Sequence, residues 1–229
     1  MTLRSRCPRT CAVVVLTAAL TAPQSGATAG APAGSGPAAQ APSLTLTLGA
    51  AVRRLDVGRE VRSGYDRDKF GDWIDADGDC RDTRDEVLAE ESRESVGDAC
   101  DVSDGLWYSY YDGVFWTDSG DVDIDHMVPM AEAWDSGARG WAAGTRRRFA
   151  NDLGDPRSLV AVTDNVNSSK GDSDPAEWLP EQRICRYVVD YVAVKVRWSL
   201  RIDLVERRAL RALVEQCPGR TITVTRART

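Results

Sequence analysis

The segment Val122-Asp123-Ile124-Asp125-His126-Met127-Val128-Pro129 carries the sole histidine of the chain. An imidazole with an ordinary pKa of about 6.5 can take or give a proton near neutrality. In extended backbone the side chains alternate, so Asp123 and Asp125 share one face. Two carboxylates on one face repel unless a cation or a proton lies between them. A second polar cluster follows further along the chain. Ser158-Leu159-Val160-Ala161-Val162-Thr163 is a short apolar run, and Asp164-Asn165-Val166-Asn167-Ser168-Ser169-Lys170-Gly171-Asp172 comes directly after it. Asn167 offers a neutral oxygen ligand and Lys170 a cation suited to phosphate. An activated water and charge neutralisation at phosphorus are what phosphodiester hydrolysis needs. Oxygen ligands suit Mg²⁺ or Mn²⁺. One histidine also excludes every site built on two imidazoles, the two-His zinc proteases among them.

These groups need strands and helices to hold them. Strand-like runs lie at Trp107–Tyr111, Val114–Thr117, Asp121–Val128 and Ser158–Thr163. The later part of the chain reads as helical. Asp174 can cap a helix, with Pro175 at its first position and Glu177 at capping-box spacing. Residues 185–200 are apolar on one side. Asp203 is a second cap with Glu206 three residues on, and Leu204, Leu210, Leu213 and Val214 follow at helical spacing until Pro218-Gly219. Strands followed by helices predict an α+β fold.

The chain has 229 residues, 42 % hydrophobic and 28 % charged, an ordinary balance for a packed core. Arg4, Arg6 and Arg9, the apolar stretch Cys11–Ala22 and the small residues Ala27-Thr28-Ala29 predict a cleaved secretory signal over residues 1–29. Its loss lowers the net charge from −6 to −9. A flexible Ala/Gly/Pro linker is expected over residues 30–43, a single domain over 44–219 and a tail over 220–229. Residues 61–130 hold 20 acidic and 6 basic residues, whereas residues 181–229 hold 11 basic and 5 acidic ones. The four cysteines left after signal removal, Cys80, Cys100, Cys185 and Cys217, suggest two disulfides in an exported chain. Three pairings are open. Nearest neighbours, Cys80–Cys100 and Cys185–Cys217, give the simplest one.

The run D-x-D-H-x-V-P followed by N-x-x-K-G-D resembles the HNH endonucleases (His-Me finger, ββα-metal). More closely, the chain is similar to secreted HNH-family nucleases whose domain is like the C-terminal part of the GmrSD restriction enzymes. The likeness spans roughly residues 60–217 and takes in Tyr65-Asp66-Arg67-Asp68, Phe70-Gly71-Asp72-Trp73, Cys80-Arg81-Asp82-Thr83-Arg84, Phe149-Ala150-Asn151-Asp152-Leu153 and Asp174-Pro175-Ala176-Glu177-Trp178. It implies a ββα-metal core with added helices. It implies His126 as the general base, and Asp125 and Asn167 as ligands of one divalent metal, with Asp123 as a further candidate ligand. Lys170 would neutralise the phosphate. Two positions depart from the pattern: Asn167 stands where the last His is common, and the middle Asn is replaced, Ser158 standing nearest its place and Asn151 being the alternative.

The resulting expectation is a secreted, monomeric, metal-dependent endonuclease acting on DNA, with RNA left open as a further substrate, and with no membrane association once the signal is removed. A carboxylate-dependent cell-wall glycoside hydrolase and a non-catalytic binding protein on the same scaffold are the competing classes. Arg84 is a candidate phosphate contact. Asp75-Ala76-Asp77-Gly78-Asp79 with Glu86 looks like a calcium loop, but its sixth residue is Cys80 rather than the Gly such a turn requires. An acidic turn held by a disulfide is the simpler account.

Overall fold

The computed structural model describes residues 42–228. The expected signal, Cys7, Cys11 and nearly all of the expected linker lie outside them. In chain order the elements are β1 (Ser43–Thr47), α1 (Leu48–Arg54), α2 (Thr83–Glu91), β2 (Asp104–Ser109), β3 (Val114–Asp118), β4 (Val122–His126), α3 (Met130–Asp135), α4 (Ala143–Ala150), β5 (Leu159–Thr163), α5 (Asp164–Lys170), α6 (Ile184–Trp198), α7 (Leu204–Gln216) and β6 (Thr221–Thr225). The strands form three separate antiparallel pairs, β1 with β6, β2 with β3 and β4 with β5. This is a mixed α/β chain with small sheets, stapled by Cys80–Cys100 and Cys185–Cys217.

The β4–β5 pair lies between two apolar clusters. Val122 and Ile124 of β4 join Leu159 and Ala161 of β5 in the smaller one, with Leu88 and Trp107. Register puts Asp123 opposite Val162 and Asp125 opposite Val160, and these two valines belong to the larger cluster. The alternation of a strand therefore turns both aspartates to the same face as the main core. That core is built around α6, whose Tyr187, Val188, Tyr191 and Val192 are wholly buried. Such a helix needs tertiary burial, and the Cys185–Cys217 bridge ties it to the end of α7.

Two expectations are corrected. The expected tail over residues 220–229 contains a strand. Thr221–Thr225 pairs with Ser43–Thr47 and buries Ile222 and Val224. The alternation Thr-Ile-Thr-Val-Thr is a strand pattern, and β1 supplies its partner. Nor does a helix start at Asp174. Its carboxylate accepts from Ala176 N at 2.5 Å within a turn only, Pro180 follows, and α6 begins at Ile184. The cap expected at Asp203 is present, with Oδ1 accepting from Val205 N and Glu206 N.

Candidate active site

His126 is the last residue of β4, and its ring is almost fully buried. Nε2 lies 2.9 Å from the carbonyl oxygen of Ala150, the last residue of α4. A carbonyl only accepts, so Nε2 carries the proton and Nδ1 the lone pair. Trp73 lies flat against the imidazole, with centroids 5.1 Å apart and planes 3° from parallel. Burial pulls the His126 pKa down to about 4, so the ring is neutral at neutral pH.

The loop that carries Trp73 is fixed from two sides. Gly71 takes φ +76°, which turns the chain out of the short helical turn Arg67–Phe70. Asn151 then accepts from Ile74 N at 3.1 Å and donates to the carbonyls of Asp72 and Arg147. Asn151 thus joins the end of α4, which holds one edge of the imidazole, to the loop that covers its face. Ser158 does something else. Its carbonyl accepts from Met127 N, and its hydroxyl donates to Asp152.

Asp125 lies beneath the site. Lys170 Nζ contacts both of its oxygens at 2.7 Å and donates to the His126 carbonyl at 2.8 Å. Tyr111 donates to Asp125 Oδ2 at 2.5 Å. Lys170 is the last residue of α5 and is wholly buried. Burial pushes Asp125 up and Lys170 down, each against the attraction of the other. The expected role of Lys170 against substrate phosphate is therefore corrected: its three protons are engaged inside the fold, where it positions Asp125 and the His126 backbone.

Asp125, His126 and Asn167 line one cleft of about 210 Å³, together with Tyr65 and Arg67. Arg67 and His126 also border a second hollow beside Trp73. Asp123 does not line the cleft; its Oδ2 accepts from Asn167 Nδ2 at 3.1 Å, which leaves the amide oxygen of Asn167 free of protein donors. A carboxylate offers about four lone-pair sites, and Lys170 and Tyr111 take three of those on Asp125. Asp125 and Asn167 both line the cleft and are its candidate oxygen ligands. This hard, two-oxygen set fits a divalent cation that completes its coordination with water and phosphate oxygen. Arg84 is not brought to the cleft. Its guanidinium donates to the carbonyls of Ser119 and Val122 and anchors the start of β4.

Arg67, Trp73, Tyr111 and the Ala150 carbonyl are site groups that no spacing around His126 reveals. Arg67 and Trp73 do stand in stretches that carry the family resemblance, and that is their one signal in the sequence.

Residues 79–213 match the family described as "GmrSD restriction endonucleases, C-terminal domain". The chain is also 43 % identical over 159 residues to an "Uncharacterized secreted protein" of Arthroderma benhamiae, an overlap of 68 % of this chain and 77 % of that one. No solved structure matches. A match that takes in the His126 strand, α5, α6 and most of α7, together with such a relative, makes this chain a member of the GmrSD C-terminal domain family.

Proposed function

We propose that this protein is an exported, metal-dependent endonuclease that hydrolyses phosphodiester bonds of DNA, with RNA as the open second substrate. Membership of a family named for restriction endonucleases supports a nuclease-related function. The order β4, β5, α5, with His126 ending the first strand and Asn167 on the helix, supports an HNH-type ββα-metal reading. Export is supported by the signal-like first 29 residues, by two disulfides and by the name of the fungal relative. Among the described residues no helix is long and apolar enough to cross a membrane.

The observation that carries the reading is a neutral, clamped imidazole on the same cleft as Asp125, Asn167 and Arg67. His126 Nδ1 takes a proton from the attacking water, and the Ala150 carbonyl holds the ring while its charge rises. Trp73 keeps the ring from turning. The water oxygen attacks phosphorus, the P–O3′ bond breaks and the 3′ oxygen takes a proton from solvent water, giving 5′-phosphate and 3′-hydroxyl ends. A Mg²⁺ or Mn²⁺ held by Asp125 and Asn167 supplies charge neutralisation at the phosphate. Arg67, exposed at the mouth, attracts the backbone of the substrate.

Cleavage of plasmid and of RNA by the oxidised protein, with Mg²⁺, with Mn²⁺ and with EDTA, tests this beside His126→Ala. Metal-dependent cleavage lost in the variant is the expected result. Equal cleavage by the variant, or none by folded wild type, overturns it.

A further inference from the structure

Away from the His126 cleft, carboxylates from distant parts of the chain crowd together. Oxygens of Glu60, Asp174, Asp203 and Glu206 all lie within 4.8 Å of one another. Glu60 belongs to the loop after α1, Asp174 to the connection between α5 and α6, and Asp203 and Glu206 to the start of α7. The nearest cation is Lys195 of α6, wholly buried like Glu206.

Lys195 reaches only Glu206 of this group and is shared with other acceptors. Its Nζ lies 2.5 Å from Glu132 Oε1, 2.7 Å from Ser136 Oγ and 2.8 Å from the Arg201 carbonyl. An ammonium has three protons, and these three nearer acceptors take them. Glu206 stands 3.0 and 3.2 Å away as a fourth acceptor, and its Oε1 has no hydrogen-bond donor although no part of the residue reaches solvent. Asp203 spends Oδ1 on the first N–H groups of α7, and Asp174 spends Oδ1 on Ala176 N. Glu60 accepts no hydrogen bond among the described residues and is exposed, so the cluster opens to water on that side. Burial pushes Glu60 up to about 7 and Asp174 to about 6, and neighbouring carboxylates add to both shifts. Four carboxylates that share one ammonium leave excess negative charge, which a cation or bound protons must offset.

We propose that Glu60, Asp174, Asp203 and Glu206 bind one calcium ion, which ties the loop after α1 and the α5–α6 connection to the start of α7. No two of these atoms are further apart than 4.8 Å, the widest separation that ligands of one centre at the Ca²⁺–oxygen distance of about 2.4 Å can have. An all-oxygen, carboxylate-rich and irregular set suits Ca²⁺, and water entering beside Glu60 completes its six to eight ligands.

Calorimetric titration of chelator-stripped, oxidised protein with calcium chloride, paired with thermal melts, tests this without reference to cleavage. Wild type is expected to bind one equivalent and to melt higher with Ca²⁺. Glu60→Gln and Asp203→Asn remove ligand charge, while Asn still caps α7. Both are expected to weaken binding at least tenfold and to lose the rise in melting temperature. Asp77→Asn, in the exposed acidic turn, is expected to bind as wild type does. Absence of binding at millimolar Ca²⁺ overturns the proposal, as does undiminished binding by Glu60→Gln and Asp203→Asn. A melting temperature that rises only on acidification, with no Ca²⁺ effect, also overturns it and assigns the cluster to shared protons.

Discussion

Trp73 and His126 stack plane to plane, 5.1 Å between centroids and 3° from parallel, although 53 positions separate them in the chain. The indole fixes one face of the imidazole while the Ala150 carbonyl fixes one edge. Trp73→Ala leaves that ring free to rotate. Single-turnover cleavage is expected to fall roughly tenfold, about 1.4 kcal/mol of barrier, with Trp73→Phe intermediate. The KM for substrate should stay near wild type, and a change confined to KM would count against the positioning role.

Arg67 borders both hollows around His126 and is exposed. Arg67→Ala is expected to raise the KM for DNA roughly tenfold, and to lower the slope of log affinity against log salt by about 1. Binding isotherms at several salt concentrations measure this. An unchanged slope would remove Arg67 from the phosphate path.

Asn151 holds three backbone groups, Ile74 N, Asp72 O and Arg147 O. Asn151→Ala should cost about 1–3 kcal/mol in denaturant unfolding and slow cleavage as the Trp73 loop loosens. Asn151→Asp should cost more, because a carboxylate faces two carbonyls that need a donor. The order Asp worse than Ala, read from unfolding midpoints, is the check.

Lys170 and Asp125 are both buried and lie 2.7 Å apart. Removing one partner leaves a charge in the core. Lys170→Ala is expected to destabilise by about 3–5 kcal/mol, and Lys170→Met with Asp125→Asn by less than the single change. Urea unfolding of the three proteins decides it.

Glu91 accepts from Ala161 N and is pushed up to about 7, chiefly by burial. Because the folded pKa lies above the unfolded one, this group's contribution is fully present below about 4.5 and is lost as pH rises through 7. The penalty at pH 8 is on the order of 3 kcal/mol. Glu91→Gln keeps an acceptor for Ala161 N and removes the penalty. It should melt higher than wild type at pH 8 and equally at pH 4.

What was legible in the sequence was local. Asp123, Asp125 and His126 on one strand and the cap at Asp203 depend on near-neighbour spacing, which alternation and helical period encode, whereas the polar run with Asn167 and Lys170 reads as a turn and is a short helix in the structure. The walls of the site were not legible. Trp73, Tyr111 and Ala150 reach His126 or Asp125 only through tertiary packing. Lys170 was misread for the same reason: its charge suggested phosphate, and its wholly buried position gives it to Asp125. Arg84 likewise serves two carbonyls at the start of β4. In Thr221–Thr225 the strand pattern was present, but its partner lies at the opposite end of the domain.

That last pairing sets an order of events. Thr45 and Thr223 join hydroxyls across 178 residues of sequence. During synthesis β1 emerges early and has no strand to meet until β6 emerges. The sheet is therefore the last piece the chain can close, and every chain cut short before Thr221 lacks Ile222 and Val224 from its core.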